Sequence, residues 1–263
     1  MAISTALHRF KVDGLNIEVH PDSASASEAA GREAAQAMLA LGNIFSEFGV
    51  IFATGASQIE MLRALTATAG LPWNKILGFH LDEYIAMPID HPASFRGYLR
   101  RHLLSKVPLK GFFEIDGTAD DLDEICRQYA SRLQGAAPRL CLLGIGENGH
   151  LAFNDPGEAD FDDPFDVRIV QLDVACREQQ ASEGWFHSLE EVPERAITVT
   201  LPALFRVPKL VLTVLGPRKA AAVKRLLGGA VSTECPATIL RLHPDATLHL
   251  DRDAAAEIFP TSA

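Results

Sequence analysis

One stretch of this chain combines residue types and spacing in a way that points to proton chemistry. Residues 144–157 read Gly-Ile-Gly-Glu-Asn-Gly-His-Leu-Ala-Phe-Asn-Asp-Pro-Gly, so Gly144, Gly146, Gly149 and Gly157 bracket His150 and Asp155. Glycines at that density let a backbone turn sharply and come close to a ligand. A histidine among them, with a carboxylate in reach, suits proton transfer at neutral pH. The plainer alternative is a tight turn in which His150 only hydrogen-bonds backbone. A second candidate is the pair Asp82-Glu83, placed just after the apolar run 75–79. Acids at the end of a buried strand are unusual if they serve solubility alone. The third is the small-residue turn Thr54-Gly55-Ala56-Ser57 between a strand and a helix, where free backbone N–H groups can hold an anion such as phosphate. Lys219 is the fourth. In the first turn of a helix a cation opposes the dipole, so it is either a surface lysine or a group that neutralises a bound anion.

These residues need elements to position them. Short apolar runs at 49–53, 75–79, 139–143 and 210–215 read as strands, each ending where a candidate loop begins. An alternating segment at 8–20 around Asp13-Gly14 reads as an edge hairpin. Helices are expected over 23–41, closed by Gly42; over 58–69, opened by a Ser57/Glu60 capping box and closed by Gly70; and over 94–104. Thr118 is expected to cap a helix running to Leu133, and Pro217 opens another that ends at Gly228-Gly229. Further strands are expected at 111–115, 167–172, 196–200 and 247–250, a short helix at 201–205 and a short apolar element at 237–242. The segment 158–166 reads as an acidic surface excursion, and 176–186 as an ambiguous stretch that could form a helical flap. The alternation predicts an α/β fold: a Rossmann-like three-layer sandwich with a mostly parallel central sheet and helices on both faces, in a single domain, 1–263. Ligands of such sheets bind beyond the carboxyl ends of the strands, so the four loops should converge on one rim. That set suits acid/base chemistry on a small phosphorylated molecule.

Composition narrows the field. A net charge of −10 over 263 residues argues against nucleic acid or an anionic membrane as partner. No stretch approaches transmembrane length and the N-terminus lacks a signal-like apolar core. The four cysteines are widely spaced without a CxxC pair and read as reduced thiols, which makes the cytoplasm the expected location. No GxGxxG follows the first strand and no GxxxxGK[ST] occurs, which argues against a nicotinamide cofactor and a P-loop.

Taken as a set, Leu81-Asp82-Glu83-Tyr84 with His91-Pro92-x-Ser94-Phe95, the 144–157 loop, Leu215-Gly216-x-x-Lys219-Ala220 and Leu242-His243-Pro244 resemble the glucosamine-6-phosphate deaminase and 6-phosphogluconolactonase family over most of the chain. The Phe153-Asn154-Asp155-Pro156 run resembles the deaminase branch rather than the lactonase. The resemblance implies opening of a sugar ring, proton transfer between C2 and C1, and release of ammonia, with no metal or organic cofactor. It implies Asp82 as the proton shuttle, with Glu83 beside it, His150 as the ring-opening acid/base, and Asn148 and Asp155 as the groups that orient it. Lys219 and the turn Thr54, Gly55, Ala56, Ser57 would grip the phosphate, with Gly146 and Gly149 shaping the loop beside it. Three departures from the family pattern bear on the substrate. Asn148 stands where many members have aspartate. Asp155 replaces a glutamate and is one methylene shorter, so it is expected to meet His150 only through water. The phosphate-gripping arginine expected near Ser182-Glu183-Gly184 is absent; Arg177 and Arg168 are the nearby arginines that could substitute. A lactonase, or a silent sugar-phosphate-binding homologue, are the competing readings. A metal hydrolase built on His80, Asp82, His150 and Asp155 is a more remote one. The family forms hexamers, so a homo-oligomer is open to this chain, although the 158–166 surface segment differs.

Overall fold

The computed structural model describes residues 6–182 and 184–259. Its chain opens with the expected hairpin of β1 (His8–Val12) and β2 (Leu15–His20), turned at Asp13-Gly14. Helix α1 (Ser23–Ile44) follows, capped by Asp22, whose carboxylate accepts from Ser25 N at 2.8 Å. Gly42 does not end this helix as expected but lies inside it. A Cβ there would stand 2.6 Å from Pro72 Cγ, so the glycine serves close packing rather than termination. Then come β3 (Phe48–Phe52), α2 (Ala56–Thr66), β4 (Ile76–His80), β5 (Asp82–Tyr84) and α3 (Phe95–Leu99), which widens into a π-helical stretch over Arg100–Leu104. After β6 (Gly111–Phe113), α4 (Leu122–Ala136) is capped by Asp121, which accepts from Glu124 N. Thr118, the expected cap, instead donates to Asp116 within the preceding turn. The remaining elements are β7 (Leu140–Leu143), β8 (Val167–Gln171), α5 (Val174–Ser182), β9 (Arg195–Val199), α6 (Leu201–Phe205), β10 (Lys209–Val214), α7 (Ala220–Gly228) and β11 (Ala246–Asp251).

The large sheet has the order β1-β2-β11-β10-β7-β3-β4-β6, and every pairing except the β1–β2 hairpin is parallel. Alternating side chains bury both faces. Val50 and Phe52 pack with Met38 of α1 and Met61 and Leu65 of α2, while Ile51, Leu143 and Leu212 pack with Tyr129 of α4, Leu204 of α6 and Val223 of α7. Each such side chain contributes about 1.5–3 kcal/mol of burial energy. Helix, sheet, helix is the three-layer arrangement expected.

Not every strand joins that sheet. β5, β9 and β8 form a separate antiparallel sheet in which Asp82 pairs with Thr198, and β8 pairs β9 along its length. It covers an apolar cluster that includes Tyr84, Phe153, Val170 and Phe186. From β3 the chain builds outward through β4 to β6, then returns to β7 on the other side of β3 and builds toward β10 and β11. The order reverses between β3 and β7, so the crevice at their carboxyl ends is the place where a doubly wound sheet binds ligand.

Candidate active site

The turn after β3 is held open by its backbone. Gly55 has φ +103°, a left-handed conformation that favours glycine, and caps α2 without any side-chain hydrogen bond. The expected Ser57/Glu60 capping box does not form. The helix begins at Ala56, which puts Ser57 inside the first turn, and Glu60 accepts from Arg63 Nε at 2.7 Å instead. Thr54 through Ser57 line a cleft at the first turn of an eleven-residue helix, an anion-favouring position. Two bonds brace the turn. Tyr98 donates its hydroxyl to Gly55 O at 3.0 Å, and Gln58 Nε2 donates to Leu143 O and Thr213 O at 3.1 and 3.3 Å, tying α2 to the ends of β7 and β10.

Asp82 and Glu83 are adjacent and both buried, but their partners differ. Asp82 lines the cleft, and its Oδ1 has no hydrogen-bond partner. Burial first, and the charge of Glu83 second, push its carboxyl well above the ordinary carboxylate range. Glu83 does not line the cleft, contrary to its inclusion among the catalytic candidates. Its carboxylate accepts from the backbone N of Tyr84, Phe95 and Arg96 and from Ser94 Oγ, and its Oε2 lies 3.6 Å from Arg96 Nε. Strand alternation is the reason: successive side chains of β5 point to opposite sides, one into the cleft and one to the start of α3.

His150 rests on a bed without side chains. A Cβ on Gly146 would lie 2.2–2.4 Å from three atoms of the imidazole ring, so only glycine fits under it. Its Nδ1 is 2.8 Å from Asp155 Oδ1, a direct contact that overturns the expected water bridge. The loop folds back through Leu151, which bridges Asn154 and brings residue 155 close enough that the shorter side chain suffices. Burial alone would raise the Asp155 carboxyl. The His150 charge and hydrogen bond, with Asn148 and the Cys176 thiol, outweigh it and hold the group below its usual value. Asn148 orients the histidine through the backbone: its Oδ1 accepts from His150 N at 3.0 Å, while its Nδ2 donates to Asp155 and to Asp173 at 3.0 and 3.1 Å. Gly149, at φ +91°, lies against Cys235, whose Sγ a Cβ would approach to 2.5 Å. Asn148, Gly149 and Asp155 therefore stand behind His150 and do not line the cleft, whereas Gly146 does. The ligand atoms of His150, Asp155 and Cys176 lie within 4.8 Å of one another and could hold a metal ion, at the cost of the His150–Asp155 pairing.

Lys219 is buried at the end of the short 3-10 turn Pro217–Lys219, just before α7, and lines the cleft. The turn that carries it is fixed by Asp251, whose two carboxylate oxygens accept from Gly216 N, each at 3.0 Å. A fifth wall was not read from the sequence residue by residue. It is α5, the stretch left as an ambiguous flap, which contributes Gln179 and Gln180 to the cleft. Gln180 accepts from the Tyr84 hydroxyl and Gln179 from Glu147 N, both at 2.8 Å. The only sequence signal was polar residues interrupting a helix-competent stretch, which does not distinguish a wall from a surface. Neither substitute arginine reaches the cleft. Arg177 donates to the carbonyls of Leu189 and Val192, and Arg168 is paired with Glu158 and Asp163. Arg218 does not line the cleft either: its Nη1 donates to Ser182 Oγ at 2.6 Å at the end of α5, and its Nε lies 3.3 Å from Glu147 Oε1. His80 is fully buried beneath the site and does not line it.

Asp82, His150, Lys219 and the Thr54–Ser57 turn thus line one open cleft of about 810 Å³, solvent at its mouth included. A doubly wound α/β sheet with acid/base groups and an anion-binding turn at its switch point defines a class of enzymes that work on small anionic substrates. Within it, the chain belongs to the family of glucosamine-6-phosphate isomerases and 6-phosphogluconolactonases, whose profile matches residues 21–249. It is 34% identical over 202 residues to the glucosamine-6-phosphate deaminase of Bacillus cytotoxicus, covering 77% of this chain and 75% of that one. Against the enzyme of the same name from Lactobacillus helveticus it is 34% identical over 206 residues, covering 78% of this chain and 84% of that one. Among solved structures, a monomeric glucosamine-6-phosphate deaminase superposes with a TM-score of 0.82 at 30% identity, over 92% of this chain and 99% of that one. The 6-phosphogluconolactonase of Thermotoga maritima shares the fold, with a TM-score of 0.73 at 18% identity over 90% and 99% of the two chains. Among the described residues no helix is long and apolar enough to cross a membrane.

Proposed function

We propose that this protein converts glucosamine 6-phosphate and water to fructose 6-phosphate and ammonia. The observation that carries the reading is that Asp82 and His150, the latter backed by Asp155, border the same cleft as the anion-favouring turn and Lys219. The Thr54–Ser57 N–H groups and Lys219 hold the phosphate and so place the sugar ring between the two proton carriers. His150, its Nδ1 engaged by Asp155, exchanges a proton with the ring oxygen and opens the ring. Asp82 takes the C2 proton and returns it to C1, leaving an imine at C2. Water adds to that carbon, and the carbon–nitrogen bond breaks to release ammonia. A carboxyl raised by burial suits the shuttle, since it must accept and give up a proton in one cycle. Arg218, held at the end of α5 beside Lys219, supplies a guanidinium near the segment where the family pattern has its phosphate arginine.

The test is incubation of the purified protein with glucosamine 6-phosphate while following ammonia and fructose 6-phosphate. Equimolar appearance of both is expected, and no acid release from 6-phosphogluconolactone in a pH-stat. Silence with a panel of amino-sugar phosphates would reject the proposal.

A further inference from the structure

A second group of ionisable side chains lies between β2, β11 and α1, and shares no lining residue with the cleft. His20 and His249 face each other there, with His20 Nε2 3.2 Å from His249 Nδ1. Glu18 Oε2 completes a triangle, 3.6 Å from His20 Nε2 and 3.9 Å from His249 Nδ1. Ligands about 2.0–2.2 Å from a tetrahedral zinc-like ion stand about 3.4 Å apart, so these three atoms already form one face of such a polyhedron. Both histidines are buried, at 1% and 2% exposure, and Glu18 is half-buried.

The surrounding bonds prepare the same three atoms. Glu18 gives its other oxygen, Oε1, to Arg9 Nε at 2.9 Å, which leaves Oε2 directed at the rings. Glu33 does the matching task behind His249. Its Oε2 is 2.9 Å from His249 Nε2, while its Oε1 takes Lys209 and Thr247, each at 2.9 Å. A carboxylate on the far nitrogen of a histidine fixes the tautomer that leaves the near nitrogen's lone pair free for a metal. His20 Nδ1 is buried without a partner, so binding through Nε2 places an unsatisfied N–H there, a cost that the bond to the metal must outweigh.

We propose that Glu18, His20 and His249 form a binding site for a divalent transition-metal ion such as Zn²⁺, with Glu33 as the positioning carboxylate and water from the adjoining cavity as the remaining ligand. Two imidazoles and one carboxylate are borderline donors that select zinc, cobalt or nickel over magnesium or calcium. The ion takes the place of the His20–His249 hydrogen bond, the His20 proton moving to Nδ1, and cross-links β2 to β11, so it stabilises the folded chain.

Cobalt is the probe, added to chelator-treated full-length protein. One equivalent should give the visible absorption of a low-coordinate Co²⁺ site, displaced by Zn²⁺, with Tm rising on the order of 5 °C at a hundredfold excess over Kd. Glu18→Gln should weaken binding at least about tenfold and Glu33→Gln about tenfold, while His150→Ala leaves it unchanged. Absence of the spectrum in the unsubstituted protein overturns the proposal without reference to any variant. A spectrum that survives Glu18→Gln but vanishes in His150→Ala overturns it as well, because the ion would then belong to His150, Asp155 and Cys176.

Discussion

The two sides of β5 carry the same chemical group under opposite conditions. On the cleft side, the Asp82 carboxyl is buried with an oxygen that has no partner. On the α3 side, the Glu83 carboxylate is buried among four hydrogen-bond donors. Burial raises both acids, but only at Glu83 do the surrounding donors work against the rise. The comparison teaches that burial alone does not mark a catalytic acid. What distinguishes one is burial without satisfaction, next to a space where a substrate can supply what is missing.

Substitution can break that comparison at either side. Asp82→Asn should lower kcat by about 10³-fold with substrate binding near wild type, since it removes the proton carrier and keeps the shape. Because the folded-state carboxyl is raised above its unfolded value, its ionised form costs stability at neutral pH. Asp82→Asn should therefore raise Tm at pH 7 and lose that advantage as pH falls toward about 4. An unchanged kcat would move the shuttle elsewhere. Asp155→Asn should lower kcat by about 10²-fold, by removing the carboxylate paired with His150 Nδ1.

Glu83→Gln should show the reverse pattern, a loss of about 1–3 kcal/mol in denaturant unfolding with most of the activity per folded molecule retained. The same variant isolates what the Glu83 charge does to Asp82. Asp82 must be ionised to take the C2 proton, so kcat/KM should fall with decreasing pH at an acid limb above the ordinary carboxylate value of about 4. Removing the Glu83 charge, the second cause of that shift, should move the limb to lower pH. A limb that does not move would assign the whole shift to burial. The smallest effect is expected at Arg218→Ala, on an exposed side chain, where KM for the sugar phosphate should rise about fivefold with kcat little changed.

The parallel sheet was legible because β3, β4, β7 and β10 are short apolar runs that stop where small residues begin, a pattern set by burial on both faces. Asp82, His150 and Lys219 were legible for the same reason, as polar residues at strand ends. Distances were not. The direct His150–Asp155 contact depends on the loop folding back at Leu151, and no residue type announces that fold. The Asp82-Glu83-Tyr84 tripeptide gives no sign of which acid faces the cleft until its partner strand is known. Ser57 looked like a cap because its spacing to Glu60 was right, yet the turn needed a positive φ at Gly55 and the helix began two residues early. Gln179 and Gln180 were missed because α5 has no apolar period strong enough to show which side packs.

Gly146 has a kinetic corollary. With backbone in contact beneath the imidazole and Asp155 at one nitrogen, the ring is confined by shape as much as by charge. Its plane is already set by the protein alone. Arrival of the sugar then asks the histidine for movement of a proton alone, because the orientational entropy that a free side chain would lose on reacting has already been given up in folding.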